Sequence, residues 1–294
     1  MKHPDRPIGE SRRSASAPHL SYRDVAATGS EPRDTPVLLL HGVGSSSATW
    51  TGLLPHLAGR RLIAPDYRGH GGSDAPEPPY QLADFVQDAV RLLDELSLPE
   101  VDVVGFSIGA LFAAKLALDA PDRVSSLVLL NSIAARTSEQ QVRARSRLSV
   151  IRESDPAEVA AASAHRWFSP QFLAENPSAV QAEIDIVSAV RREPYAASYA
   201  VLVENDLIDE VHKISCPTLI MTGEFDEGST PAMSRALHDR IERSTLHILA
   251  GVKHYAHIEA APAVGAHITQ FWSAVAQSAP HGGVTESIEE GGRG

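Results

Sequence analysis

A five-residue turn sets the frame for the whole chain. Gly105-Phe106-Ser107-Ile108-Gly109 follows directly on Val101 to Val104, an apolar run that reads as a buried strand, and leads into Ala110 to Leu118, an apolar stretch of helical length. A serine at such a strand-to-helix turn stands out from a sheet on a strained backbone. The glycines on either side remove side chains where helix crowds strand. The turn therefore calls for a mostly parallel sheet with helices on its faces, because parallel neighbours need a crossover connection.

The rest of the chain repeats that alternation. Val37 to Leu40, Leu62 to Ala64, Leu127 to Leu130, Thr218 to Met221 and Leu246 to Leu249 are runs of Val, Ile and Leu bounded by Gly, Asp, Asn or Pro, the pattern of strands buried on both faces. Between them, Leu82, Phe85, Val86, Ala89, Val90, Leu93 and Leu96 recur at three- and four-residue spacing and make one apolar helical face. His19 to Ala26, with Gly29 after it, reads as an antiparallel edge strand and turn. From 134 to 213 the alternation stops and the segments read as helical, a cap inserted where a sheet can carry a lid over the carboxyl ends of its strands. The expected plan is an α/β core from 18–133 and 214–276, a helical cap over 134–213, and polar ends at 1–17 and 277–294 outside the fold.

Chemistry enters through Ser107. A hydroxyl is a weak nucleophile at neutral pH, so a base must take its proton and a third group must orient that base. In an elbow of this kind the acid and the histidine follow the serine along the chain, on loops after later strands. Thr218 to Met221 runs into Thr222-Gly223-Glu224-Phe225-Asp226, and Leu246 to Leu249 runs into Ala250-Gly251-Val252-Lys253-His254. Asp226 and His254 are the candidates, with Glu224, Glu227 and His257 as rivals; Asn131 stands at another strand end but supplies no carboxylate charge. The backbone amide of Ile108 and that of Val43, in the flexible His41-Gly42-Val43-Gly44 turn, are the candidate donors to an oxyanion.

Composition excludes other classes of function. A formal net charge of −11 is opposed to a nucleic-acid partner, which needs a clustered excess of Lys and Arg. Cys216 is the only cysteine, so the chain has no internal disulfide framework or cysteine-based metal cluster. No apolar run approaches a membrane span, and Met1 to Arg13 lacks the apolar core of a secretory signal. The expectation is a cytoplasmic protein acting on a small molecule, with no membrane partner, no cofactor and no metal.

Taken together, His41-Gly42, Asp66-Tyr67-Arg68-Gly69-His70-Gly71-Gly72-Ser73, Gly105 to Gly109, Gly223 to Asp226, and His254 through Glu259 to Pro262 resemble the α/β-hydrolase superfamily over nearly the whole chain. Within it the chain is similar to the 3-oxoadipate enol-lactonase group, through Arg166-Trp167-Phe168-Ser169-Pro170 and Tyr195-Ala196-Ala197 running to Asp206-Leu207. That resemblance implies hydrolytic opening of a small anionic enol-lactone in aromatic catabolism. One departure stands out: after Ala134-Ala135-Arg136, where such lactonases set a tryptophan against the substrate, Glu139 to Arg145 holds no aromatic residue.

Other features of the cap and pocket bear on substrate. The cap also carries Arg136, Arg143, Arg145, Arg147, Arg152 and Arg166, which would attract a carboxylate-bearing substrate or else form solvated helix faces. Trp50, Trp167 and Phe168 are candidates for the substrate pocket, with core packing as the alternative. The same triad would serve a carbon-carbon bond hydrolase, a cofactor-free perhydrolase or a ligand receptor. Halide release or epoxide opening would call for Asp in place of Ser107.

Overall fold

The computed structural model describes residues 10–28, 35–57 and 59–278. Its strands are Ser11–Arg13 (β1), Ser21–Val25 (β2), Val37–Leu40 (β3), Leu62–Pro65 (β4), Val101–Phe106 (β5), Val124–Leu130 (β6), Thr218–Gly223 (β7) and Ser244–Leu249 (β8). They form one sheet in the order β1-β2-β4-β3-β5-β6-β7-β8. β1 and β2 run antiparallel to their neighbours and the others run parallel. The register sets Leu40 beside Gly105, Phe106 beside Leu130, Leu130 beside Met221 and Gly223 beside Leu249, so the carboxyl ends of the central strands finish level.

Two apolar layers sandwich the sheet. On one face lie Leu82–Glu95 (α1) and Ile108–Asp119 (α2). The periodic face of α1 buries Leu82, Phe85, Val86, Ala89, Leu92 and Leu93, and Phe85 stacks on Phe112 with ring centroids 4.3 Å apart. Asp88 is also buried on this helix, where Arg68 grips both its oxygens at 2.7 and 2.8 Å and so offsets the cost of taking a carboxylate out of water. The opposite face holds Trp50, Leu53 and Leu57 and, from the last helix, Val264, Ile268 and Trp272. Each such side chain, fully buried, contributes about 1.5–3 kcal/mol.

The cap lies between β6 and β7. It comprises Ser138–Glu153 (α3), Pro156–Ala161 (α4), Ala164–Trp167 (α5), Pro170–Glu175 (α6), Pro177–Ser188 (α7) and Arg192–Glu204 (α8), with α3 packed on α8 and α4 on α7. Prolines open α4, α6 and α7 at the position where a missing N–H costs nothing. Three helices follow: Pro231–His238 (α9), Ala256–Glu259 (α10) and Ala261–Ser278 (α11).

The chain ends differ from expectation. Ser11–Arg13, assigned by its polar composition to a segment outside the fold, is the edge strand, because its backbone pairs with Ser21 to Arg23. The stretch around His19 to Ala26 is therefore the second strand, not the edge. Gln277 and Ser278 complete α11; residues 1–9 and 279–294, and the proposed turn at Gly29, lie outside the described residues.

Candidate active site

Ser107 sits between β5 and α2 with φ 56° and ψ −116°, a region that side-chain-bearing residues rarely occupy. Its amide still joins the ladder, donating to the Leu130 carbonyl at 2.9 Å. The glycines make this turn possible: a Cβ on Gly105 would lie 2.3 Å from the Gly109 oxygen, and one on Gly109 would lie 2.1 Å from the Leu40 oxygen. The strain raises the hydroxyl above the sheet edge, beside the loops that leave β3, β7 and β8.

Those loops bring two further side chains to it. His254 Nε2 is 3.2 Å from Ser107 Oγ, and His254 Nδ1 is 2.7 Å from Asp226 Oδ2. Asp226 is 3% exposed, and burial pushes its carboxyl up. The His254 charge and hydrogen bond, with donors from Ser229 and Asn131, outweigh burial and hold it below the ordinary carboxylate value. Its Oδ1 accepts from the amides of Gly228 and Ser229 at 2.8 and 2.9 Å. The two loops approach closely because position 223 is glycine; a Cβ there would lie 2.2 Å from the Lys253 oxygen.

The rivals are occupied elsewhere. Glu224 accepts from the Gly251 amide, Glu227 pairs with Lys253, and His257 points toward Thr49. Asn131, weighed in the sequence only as an alternative acid, is a donor to the acid: its Nδ2 lies 2.8 Å from Asp226 Oδ2. Its position at the end of β6 with φ 48°, where Asn is tolerated, is the signal that marks it.

The loop after β3 is shaped by two neutral histidines. His41 Nε2 accepts from the Tyr67 amide and His70 Nε2 from the Gly44 amide. Burial holds their pKa values down to about 3 and about 4. With Gly44 bound to His70 and Ser45 bonded to the Gly42 carbonyl, the Val43 amide has no partner among the described bonds. Ile108 opens α2, so its amide has no helical carbonyl one turn back.

A cavity of about 640 Å³ stands over Ser107 and His254. Gly42 and Val43 contribute to its floor, and the cap forms its roof through one face of α3, Gln140, Arg143, Ala144 and Arg147, joined by Arg136, Arg166, Trp167, Tyr195 and Tyr199. Arg143 pairs with Glu139 and Arg147 reaches Ser163. Arg136 donates to the Leu202 and Asn205 carbonyls, and Asp206 accepts from the amides of residues 135 and 136. Among the described residues Arg166 has no side-chain hydrogen bond or ion pair. Arg145 and Arg152 are exposed and do not line the cavity.

Of the three aromatic candidates only Trp167 lines the cavity. Trp50 and Phe168 are fully buried core residues: Trp50 packs against His257, and Phe168 stacks on Phe172 and lies tilted against Tyr255. Apolar size is shared by core and pocket positions, so composition did not separate them. Phe106, Tyr195, Tyr199 and Tyr255 supply the remaining aromatic wall. Among the described residues no three His, Cys, Asp or Glu side chains gather as a metal site, and no helix is long and apolar enough to cross a membrane.

Known proteins resemble this chain in sequence and fold. A family model described as alpha/beta hydrolase fold matches residues 35–261. A 3-oxoadipate enol-lactonase of Acinetobacter baylyi is 30% identical over 244 residues, covering 82% of this chain and 90% of that protein. A hydrolase of (E)-2-((N-methylformamido)methylene)succinate from the same organism is 26% identical, over 76% of this chain and 85% of that protein. The crystal structure of an enol-lactonase from Burkholderia xenovorans superimposes with a TM-score of 0.82 at 26% identity, over 89% of this chain and all of that one. The motifs, the sheet order and these likenesses agree, and the chain belongs to the α/β-hydrolase fold family, as a hydrolase with enol-lactonase resemblance.

Proposed function

We propose that the protein hydrolyses a small carboxylic ester or lactone through a covalent acyl-enzyme. The observation that carries this reading is the hydrogen-bonded chain from Ser107 Oγ through His254 to Asp226 at the base of the cavity. His254 takes the Ser107 proton as Oγ attacks the carbonyl carbon, and Asp226 fixes the ring and stabilises the imidazolium. The amides of Val43 and Ile108 donate to the oxyanion. The ester C–O bond then breaks and His254 returns the proton to the leaving oxygen. Water, deprotonated by His254, repeats the sequence and frees the acid. A lactone's alcohol stays tethered throughout, so a closed cap suits it by holding one compact molecule through both steps.

The substrate is carboxylate-bearing. Arg136, Arg143, Arg147 and Arg166 line the cavity of a chain whose net charge is negative, and among the described residues Arg166 has no anion paired with it. An apolar acyl chain would leave the Arg166 guanidinium, and the Nε and Nη1 of Arg136, desolvated without a partner, which is costly. Trp167 beside Arg166 offers an apolar face in place of the tryptophan missing from α3.

Steady-state hydrolysis of p-nitrophenyl acetate, p-nitrophenyl butyrate and an enol-lactone prepared in situ, by wild type and Ser107→Ala, tests the reading. Turnover of the lactone that the substitution abolishes is the expected result. Turnover of the simple esters alone would leave an esterase without the lactone assignment, and equal inactivity of both proteins on every substrate would overturn the hydrolytic reading.

A further inference from the structure

Behind the cavity lies a polar cluster that the acyl transfer does not use. Glu183, on cap helix α7, is only 4% exposed, and its Oε2 accepts from Thr49 Oγ1 at 3.2 Å. Thr49 belongs to the core, in the 3-10 turn Ser47–Gly52, and the same hydroxyl is 2.9 Å from His257 Nε2. His257 follows His254 by three residues and is fully buried, its ring 4.2 Å from that of Phe106, the residue before Ser107. One buried hydroxyl thus joins a cap carboxyl to the segments that carry His254 and Ser107.

This site suits a protonated carboxyl and not a carboxylate. A carboxylate has about four lone-pair positions to satisfy, and the single proton of Thr49 is shared between Glu183 and His257. No cation pairs with Glu183 among the described residues. The groups facing it are neutral: burial and the His254 charge hold His257 down to about 3, and burial drives Tyr255 well above its ordinary value. The acids of the helices around it, Glu158 on α4, Glu175 on α6 and Asp185 on α7 itself, are exposed. Burial raises Glu183 from 4.5 to about 7, with the Thr49 hydrogen bond opposing.

We propose that Glu183 is a proton-operated latch between cap and core: with its proton it seats α7 against the Ser47–Gly52 turn, and on ionising it leaves that site and loosens the cap over the cavity. The direction follows from linkage. The latched form binds the proton more tightly than the released form, so the latch holds fully below pH 4.5, weakens as pH rises toward about 7 and then levels off. Acid closes the cap; neutral pH leaves it at its loosest.

Amide hydrogen exchange of residues 177–188 in the full chain between pH 5 and 8, corrected for intrinsic rates and referred to α2, tests the latch in wild type, Glu183→Gln and Thr49→Val. In wild type the opening constant of α7 should rise by up to about tenfold per pH unit below pH 7 and then flatten. Glu183→Gln, which keeps the shape and cannot ionise, should hold α7 closed at every pH. Thr49→Val should open it at every pH. A wild-type α7 whose opening does not change with pH, or a Gln variant that opens as wild type does, would overturn the proposal. Exchange needs no turnover, so this outcome is separate from that of the hydrolytic reading.

Discussion

Asn131 Nδ2 and His254 Nδ1 converge on the same atom, Oδ2 of Asp226, at 2.8 and 2.7 Å. The amide therefore helps to fix the carboxylate oxygen that in turn fixes the histidine. Asn131→Asp keeps the residue's tolerance of a positive φ but sets a second carboxylate against Asp226, where like charges repel. The expected loss is about tenfold to a hundredfold in kcat, with KM little changed. Steady-state kinetics beside a melting curve would check it, and unchanged kcat would assign Asn131 a purely structural place.

Asp226→Asn removes the charge that stabilises the imidazolium and permits the wrong histidine tautomer. A fall in kcat of about 10⁴-fold is expected, by analogy with the same change in other Ser-His-Asp triads. Circular dichroism should show the fold intact. A loss below tenfold would mean that another group orients His254.

Arg166→Met tests the reading of the cavity's charge. For an ester carrying a carboxylate KM should rise about tenfold or more, the loss of one charge-assisted contact. For the matching methyl ester it should change little. Equal effects on both substrates would make Arg166 a packing residue.

Gly109→Ala should destabilise strongly, since the new Cβ meets backbone 2.1 Å away and neither helix nor strand can retreat. A loss of at least about 3 kcal/mol is expected, above the usual range for overpacking. Gly52→Ala, with nothing within 4 Å of the new Cβ, should stay within about 0.5 kcal/mol of wild type. Urea denaturation of the two variants makes the comparison.

Acid sensitivity follows from the buried histidines. His41, His70 and His257 are neutral in the fold, with pKa values held by burial to about 3, 4 and 3. They take up protons near 6.5 when unfolded, so stability is lost as pH falls from 6.5 toward 4. Glu183 works against them in the same window by gaining stability as pH falls. The urea midpoint should drop between pH 7 and pH 4, and drop more steeply in Glu183→Gln, whose counterweight is gone. A pH-independent midpoint would contradict the burial of these rings.

Much of this was legible in the sequence because the constraints are local. The elbow needs its two glycines, the parallel strands need long apolar runs, and a loop histidine and aspartate after the last strands have few competitors. What escaped reading is set by tertiary packing. Ser11–Arg13 is polar and became a strand because a partner edge was open to it. Trp50 and Phe168 look like pocket residues by type, yet their neighbours enclose them. Glu183, an ordinary acid on an amphipathic helix by sequence, is buried because α7 lies on the Ser47–Gly52 turn.

Leu130 and Met221 are neighbours in the sheet although the whole cap lies between them along the chain. The roof is thus a detour that begins and ends at adjoining strands, and Ser107, Asp226 and His254 all stand on segments outside it. Selection can rewrite what the cavity accepts by altering helices that carry none of those three side chains, so chemistry and preference can evolve on separate clocks within a single polypeptide.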